Sequence, residues 1–528
     1  MIECVAEEDL LIPVAVTDGV FWFVVPRDRL LYSLDVGGYT RAPLPTMGRV
    51  FVVPGSACVF QLDHQETSIR VTRRSFHPDA APQSCRLDSV PAATSHVLRE
   101  LIPGPATVAA VFDPISGRGP RTVVDLCGGA SVCVAADPAY RPHRLLRDGV
   151  IAAQSSDGWA LVVGDRLYKS GGGRIRGTTE TSILVSDRPD LERRWRVIHV
   201  DSETTVAVGD ATILNAAMAG DDLVCHVVDA SGRQAVVRRR HGTWHEVASG
   251  GTSVVHDMAG DEPVVRTTGV SLGSRWRCGD SEVAGAASSR PEIEMAVVKV
   301  SGLPTVIVRR RQAASRRLVV SLHGGPDSHE LDDLRYGGLY RDLADDGADV
   351  AVINYPGSAD LGVALQRRAW HDRIAVNAAV VSAIGGLMAS GRYESVSILG
   401  VSFGAWIGLQ VADDVGADVV VVASPVLEMG AHIRRHRDEV AFAEWADRRF
   451  TSTDLLDGDR DAANCRCAVT AVLPRSDEVV GPSTVAFAHE RGWNVVPVDG
   501  RHYPTTGTEA IGRWSLLRRA LTPPHPGP

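Results

Sequence analysis

Two pentapeptides in this 528-residue chain could each present a nucleophilic serine: GVSLG at 269–273 and GVSFG at 400–404. Both match G-x-S-x-G, the sharp turn that lifts a serine hydroxyl above the end of a buried strand. That chemistry needs a strand leading in, a helix leading out and small neighbours around the serine. SVSIL precedes Ser402 as a strand and AWIGLQVADD follows as an amphipathic helix. Ser271 is followed by SRWRCGD, a strand and a turn, so it reads as the bend of a hairpin. Ser402 is therefore the candidate nucleophile.

A serine hydroxyl is a weak nucleophile at neutral pH and needs a base, itself oriented by a carboxylate. On a parallel sheet these partners follow in the order acid, then histidine, each in a loop after a strand. Asp477 lies just beyond the strand AVTAVL. His502 lies in the loop DGRHYP after the strand NVVPV. Asp499 is a weaker rival for the acid, and His489 and His525 fall in a helix and in a Pro-rich tail. Acyl transfer also needs donors for a developing oxyanion. The N–H of Phe403 is one candidate, and the loop HGGP at 323–326, which follows the strand LVVSL, offers the second.

These residues require elements to hold them. Residues 1–290 show short alternating apolar runs broken by polar turns, as in LVCHVV, DASGR and QAVVRRR, and lack convincing amphipathic helices. They are expected to form an all-β domain, with a rhythm that suits about seven propeller blades of four strands; a β-sandwich assembly is the alternative. The turn-rich segment 279–294 reads as a linker. From 291 to 528 nearly continuous Val/Ile/Leu strands alternate with helical stretches over about 330–346, 361–389, 482–491 and 506–520. This is the pattern of a doubly wound α/β sheet buried on both faces. The fold class is thus α/β plus all-β.

The formal net charge of −9, without a long basic run, argues against nucleic-acid binding. No apolar run reaches the roughly 18 residues of a membrane span. The acidic start MIECVAEEDL lacks the charge of a signal peptide, so a cytoplasmic protein is expected. Nine scattered cysteines read as reduced thiols, and the C-x-C at Cys465 and Cys467 lacks the second pair of a zinc site.

Taken together, HGGP, NYPGSADLG at 354–362, GVSFG, SDEVV and the histidine loop resemble the prolyl oligopeptidase family of serine peptidases. The resemblance implies a C-terminal α/β-hydrolase domain capped by an N-terminal β-propeller-like domain, and action on short peptides without metal or cofactor. It implies a triad of Ser402, Asp477 and His502, with Gly325 and Phe403 supplying the oxyanion-binding N–H groups. Pro356 stands where the family usually has arginine, and Tyr503 follows the histidine, so the family's substrate choice does not carry over to this chain. Residues 428–450 are expected to form helices beside the pocket. There, Phe442 and Trp445 would line a specificity site and Arg434 would meet a carboxylate. The leading expectation is a peptidase whose substrate access the β domain limits. A peptide macrocyclase or ligase, or an esterase, using the same acyl-enzyme is the alternative, and a non-catalytic propeller scaffold is a third class. A homo-oligomer is compatible with the sequence.

Overall fold

A computed structural model describes most residues in 140–427 and 465–522, together with the strands and a few turn residues of 12–139. Of 428–464 only Ile433 and Ala446 are described, so Arg434, Phe442 and Trp445 lie outside the described residues.

The first part consists of seven four-stranded sheets, over residues 12–43, 50–88, 96–134, 141–172, 174–206, 212–249 and 252–284. Each is an antiparallel run of consecutive strands. Local polar bonds close the hairpins: in DASGR, the N–H groups of Ser231 and Arg233 donate to Asp229 Oδ1 at 2.8 and 3.0 Å, as Asx turns do. Apolar faces of successive sheets share cores. Leu184 and Trp195 of the fifth sheet pack with Ile213 and Leu223 of the sixth. Ala217 and Val224 of the sixth pack with Val255 and Val265 of the seventh. The seventh in turn packs on the first, where Trp276 lies 4.4 Å from Phe23.

The segment expected to be a linker is instead packed. It contains the last strand of the seventh sheet, Ser281–Ala284, and Ala287 is 1% exposed. The N–H of Arg290 donates to the Ser271 carbonyl at 2.7 Å. GVSLG is indeed the bend between Val264–Gly269 and Gly273–Cys278.

The second part is one eight-stranded sheet. Its strands are β1 (Ile293–Val300), β2 (Leu303–Arg310), β3 (Arg317–Leu322), β4 (Ala348–Ile353), β5 (Ser395–Val401), β6 (Val419–Ala423), β7 (Ala468–Pro474) and β8 (Asn494–Val498). Their spatial order is 1-2-4-3-5-6-7-8, parallel from β4 onward. Six helices are described: α1 (Arg335–Asp345), α2 (Val363–Arg367), α3 (Arg373–Met388), α4 (Phe403–Val415), α5 (Ser483–Glu490) and α6 (Gly507–Leu521). Alternate residues along a strand face opposite cores. Val320 and Leu322 pack with α3 and α4, whereas Val319 packs with Leu343 of α1 and Leu517 of α6. Burial on both faces explains why central strands such as β4 and β6 are nearly continuous apolar runs, whereas the edge strands β1 and β8 are partly exposed.

Three sequence expectations are corrected. The helix expected from 330 begins at Arg335 and is regular only from Leu339, because Tyr336, Gly337 and Gly338 take left-handed angles. The stretch 361–389 forms two helices, and Asp372 caps the second by accepting the Ala375 N–H at 2.8 Å. Cys465 and Cys467 are not free thiols but a disulfide.

Candidate active site

The carboxyl ends of β3, β5, β7 and β8 converge, and ligands bind at this edge in open α/β sheets. Ser402 occupies the bend between β5 and α4 with φ 51° and ψ −114°, a conformation rarely taken by a residue with a side chain. The flanking glycines are required by contact. A Cβ on Gly404 would sit 2.1 Å from the Leu322 carbonyl oxygen, and one on Gly400 would sit 2.4 Å from Ala405 Cα. The motif therefore lets α4 cross directly against β3 and β5. The bend is held by the Ser402 N–H, which donates to the Ala423 carbonyl at 2.9 Å.

Three of the residues singled out in the sequence meet here. His502 Nε2 is 3.1 Å from Ser402 Oγ, and His502 Nδ1 is 3.0 Å from both oxygens of Asp477. Ser402 and His502 are 7% and 4% exposed. Asp477 also accepts the N–H groups of Val479 and Val480 at 2.9 and 2.8 Å. Burial pushes the Asp477 carboxyl up, but its bonds to His502 and to these two N–H groups outweigh that and hold it below the usual carboxylate value. An ionised carboxylate against Nδ1 keeps the proton there and leaves Nε2 to accept from the serine. The rival Asp499 points away: its side chain is 90% exposed and pairs with Arg475 at 3.3 Å.

The loop after β3 lies on the other side of Ser402. A Cβ on Gly324 would be 3.4 Å from the serine Cβ, and Gly325 has φ 137°, where a Cβ would sit 2.9 Å from the Asp327 nitrogen. Gly324 thus brings bare backbone close to the serine side chain, and Gly325 makes the tight turn that follows. Phe403 opens α4, and the first N–H groups of a helix have no intrahelical acceptor. His323 is no competing base. Burial lowers it to about 3, and its Nδ1 donates to the Gly324 carbonyl at 2.7 Å. Tyr355 holds the same loop, its hydroxyl donating to the His323 carbonyl at 2.7 Å.

Reading the sequence missed two residues around His502. Glu478 Oε2 accepts the His502 N–H at 3.2 Å. Arg513 of α6 donates to the carbonyls of His502 and Arg501 at 2.6 and 2.5 Å. Bonds to backbone atoms leave no residue-type pattern that a motif could report. No group of three metal-ligating side chains occurs among the described residues.

A serine, a histidine and a carboxylate joined by hydrogen bonds on one sheet edge, beside a glycine loop, are an arrangement suited to acyl transfer. Comparison with solved structures bears on the fold of the whole chain. An acylaminoacyl peptidase from Pyrococcus horikoshii superposes with a TM-score of 0.69 at 11% identity, covering 99% of this chain and 98% of that one. A puromycin-hydrolyzing peptidase from Mycobacterium tuberculosis gives 0.65 at 15% identity, covering 98% and 95%. Prolyl oligopeptidase B from Galerina marginata, bound to a 25mer macrocyclization substrate, gives 0.65 at 11% identity, covering 98% and 90%. The chain has the fold of the prolyl oligopeptidase family. No sequence-family model and no curated protein matches it. Among the described residues no helix is long and apolar enough to cross a membrane.

Proposed function

We propose that the chain is a serine peptidase of the prolyl oligopeptidase kind, acting on short peptides through an acyl-enzyme. Residues 1–290 are a seven-bladed β-propeller and residues 291–528 an α/β-hydrolase domain. The observation that carries this reading is the continuous hydrogen-bonded line from Ser402 Oγ through His502 to Asp477.

In the first step His502 Nε2 takes the hydroxyl proton as Oγ bonds to the scissile carbonyl carbon. Asp477 keeps the Nδ1 proton in place and stabilises the imidazolium that forms. The N–H groups of Gly325 and Phe403 receive the oxyanion, and losing one such donor typically costs about 3–4 kcal/mol of barrier lowering. Collapse of the tetrahedral species breaks the C–N bond, and His502 gives its proton to the departing amine. Water then repeats the sequence on the acyl-enzyme, releasing the acid and restoring the serine.

Burial of the serine, 7% exposed, supports the short-peptide limit. The propeller is fastened to the hydrolase domain by Arg193, paired to Asp360 at 3.0 Å, and by the Val270 N–H, which donates to Asp332 at 2.8 Å. A flexible peptide can thread such a space, whereas a folded protein cannot. If a peptide amine displaces water, the same acyl-enzyme yields a ligated or cyclic product.

A fluorophosphonate probe followed by peptide mapping tests the reading. The adduct is expected on Ser402, to be lost in Ser402→Ala and kept in Ser271→Ala. Incubation with a peptide mixture and mass analysis then separates cleavage fragments from cyclic products, and an ester panel separates peptidase from esterase. Folded protein that carries no adduct at Ser402 would overturn the proposal.

A further inference from the structure

Arg513 is 2% exposed and has no ion pair among the described residues. Burying a cation without a carboxylate partner costs several kcal/mol unless its hydrogen bonds compensate. Its two hydrogen bonds among the described residues both go to the loop that carries His502, one to that residue's own carbonyl and one to the carbonyl before it. Its Nε has no partner there, and its guanidinium lies over the Trp514 ring at 5.8 Å. The planar fork is thus seated on α6 and points at two consecutive carbonyls, a geometry a lysine does not reproduce.

We propose that Arg513 is a positioning residue for the acyl-transfer reaction: its fork fixes the His502 loop so that the imidazole meets Ser402. This rests on the reading of Ser402 and His502 given above. Other groups also surround the ring. Asp477 and Glu478 face it from the loop after β7, and Arg501 and Tyr503 flank it in its own loop. Glu509, whose carboxylate lies where a Cβ on Gly500 would go, comes from α6 beside Arg513. Arg335, at the start of α1, acts on Tyr503. Arg501 is already paired with Glu478 at 3.1 Å. Arg513, by contrast, makes no ion pair among the described residues, and its fork goes to the main chain of the loop.

The test is the rate of fluorophosphonate labelling per folded molecule for the full chain and for two variants. Arg513→Lys keeps the charge and loses the fork. It is expected to label at least tenfold more slowly. Arg513→Gln loses both and is expected to label at least as slowly as Arg513→Lys. Thermal melts on the same samples identify the folded fraction to which the rates refer. Two variants that melt earlier but keep the wild-type rate per folded molecule would show that Arg513 only stabilises α6, and would overturn the proposal while leaving Ser402 as nucleophile. Wild-type protein that is folded yet unlabelled at Ser402 would remove both.

Discussion

Changing Asp477 to Asn tests the electrostatic part of the site most directly. The side chain keeps its size and can still accept the N–H groups of Val479 and Val480, so the loop after β7 has reason to stay in place. What is lost is a buried negative charge, 4% exposed, whose oxygens lie 3.0 Å from Nδ1. With charge centres about 4 Å apart and an effective dielectric constant of about 20, carboxylate and imidazolium attract by about 4 kcal/mol. That attraction exists only once His502 has taken the serine proton, so it lowers the barrier rather than the ground state. About 4 kcal/mol corresponds to roughly a thousandfold in rate. The Asn amide can also donate to Nδ1 and drive the proton to Nε2, which deepens the loss. The assay is the second-order rate of fluorophosphonate labelling at pH 8, with circular dichroism to confirm folding. Asp499→Asn is the control, because that side chain is 90% exposed and is expected to leave the rate unchanged. A folded Asp477→Asn protein labelled within tenfold of the wild-type rate would refute the assignment. Equal losses from both variants would refute the choice between the two acids.

Gly404→Ala places a Cβ 2.1 and 2.4 Å from the carbonyl oxygens of Leu322 and His323, which are backbone atoms of β3 and its loop. It is expected to destabilise by about 4 kcal/mol or more, and a denaturant midpoint within error of wild type would contradict the packing argument. Asp332 is raised to about 6 from 3.8 by burial, despite the Val270 N–H it accepts and with a further push from Asp333. Its folded value lies above its unfolded one, so its contribution is intact below about pH 4 and is lost as pH rises through about 6, costing about 3 kcal/mol. Asp332→Asn is expected to match wild type near pH 4 and to be the more stable protein at pH 8, as read from urea melts. An equal difference at both pH values would show that Asp332 does not titrate in this window.

Much of the site was legible because its logic is local. A strand, a bend between glycines and a helix single out Ser402, and chain order then leaves few acids and histidines to choose from. The sheet was legible from its apolar strands, since burial on both faces leaves no room for alternation. The four-stranded rhythm of the first part could be heard but not aligned, because each sheet buries its own set of side chains. Boundaries failed where backbone angles decided them. Gly337 and Gly338 admit a left-handed entry to α1, and the cap at Asp372 divides what looked like one helix. Glu478 and Arg513 escaped because they bind main-chain atoms, which carry no residue identity. Arg434, Phe442 and Trp445 rested on composition alone, and they remain expectations about the pocket wall.

The discarded pentapeptide has a use of its own. A Cβ at Gly269 would meet Asp332 Oδ2 at 3.0 Å, the Val270 N–H donates to the same carboxylate, and the Thr268 hydroxyl donates to Asp333. The hairpin is therefore a socket for the stretch of chain that runs on from Gly325. Anyone exchanging these sheets for those of a relative, to retune selectivity, would carry off half of that joint. A chimaera of this kind needs a side-chain-free residue at the matching bend, or the arm that carries Asp332 will lose its anchorage.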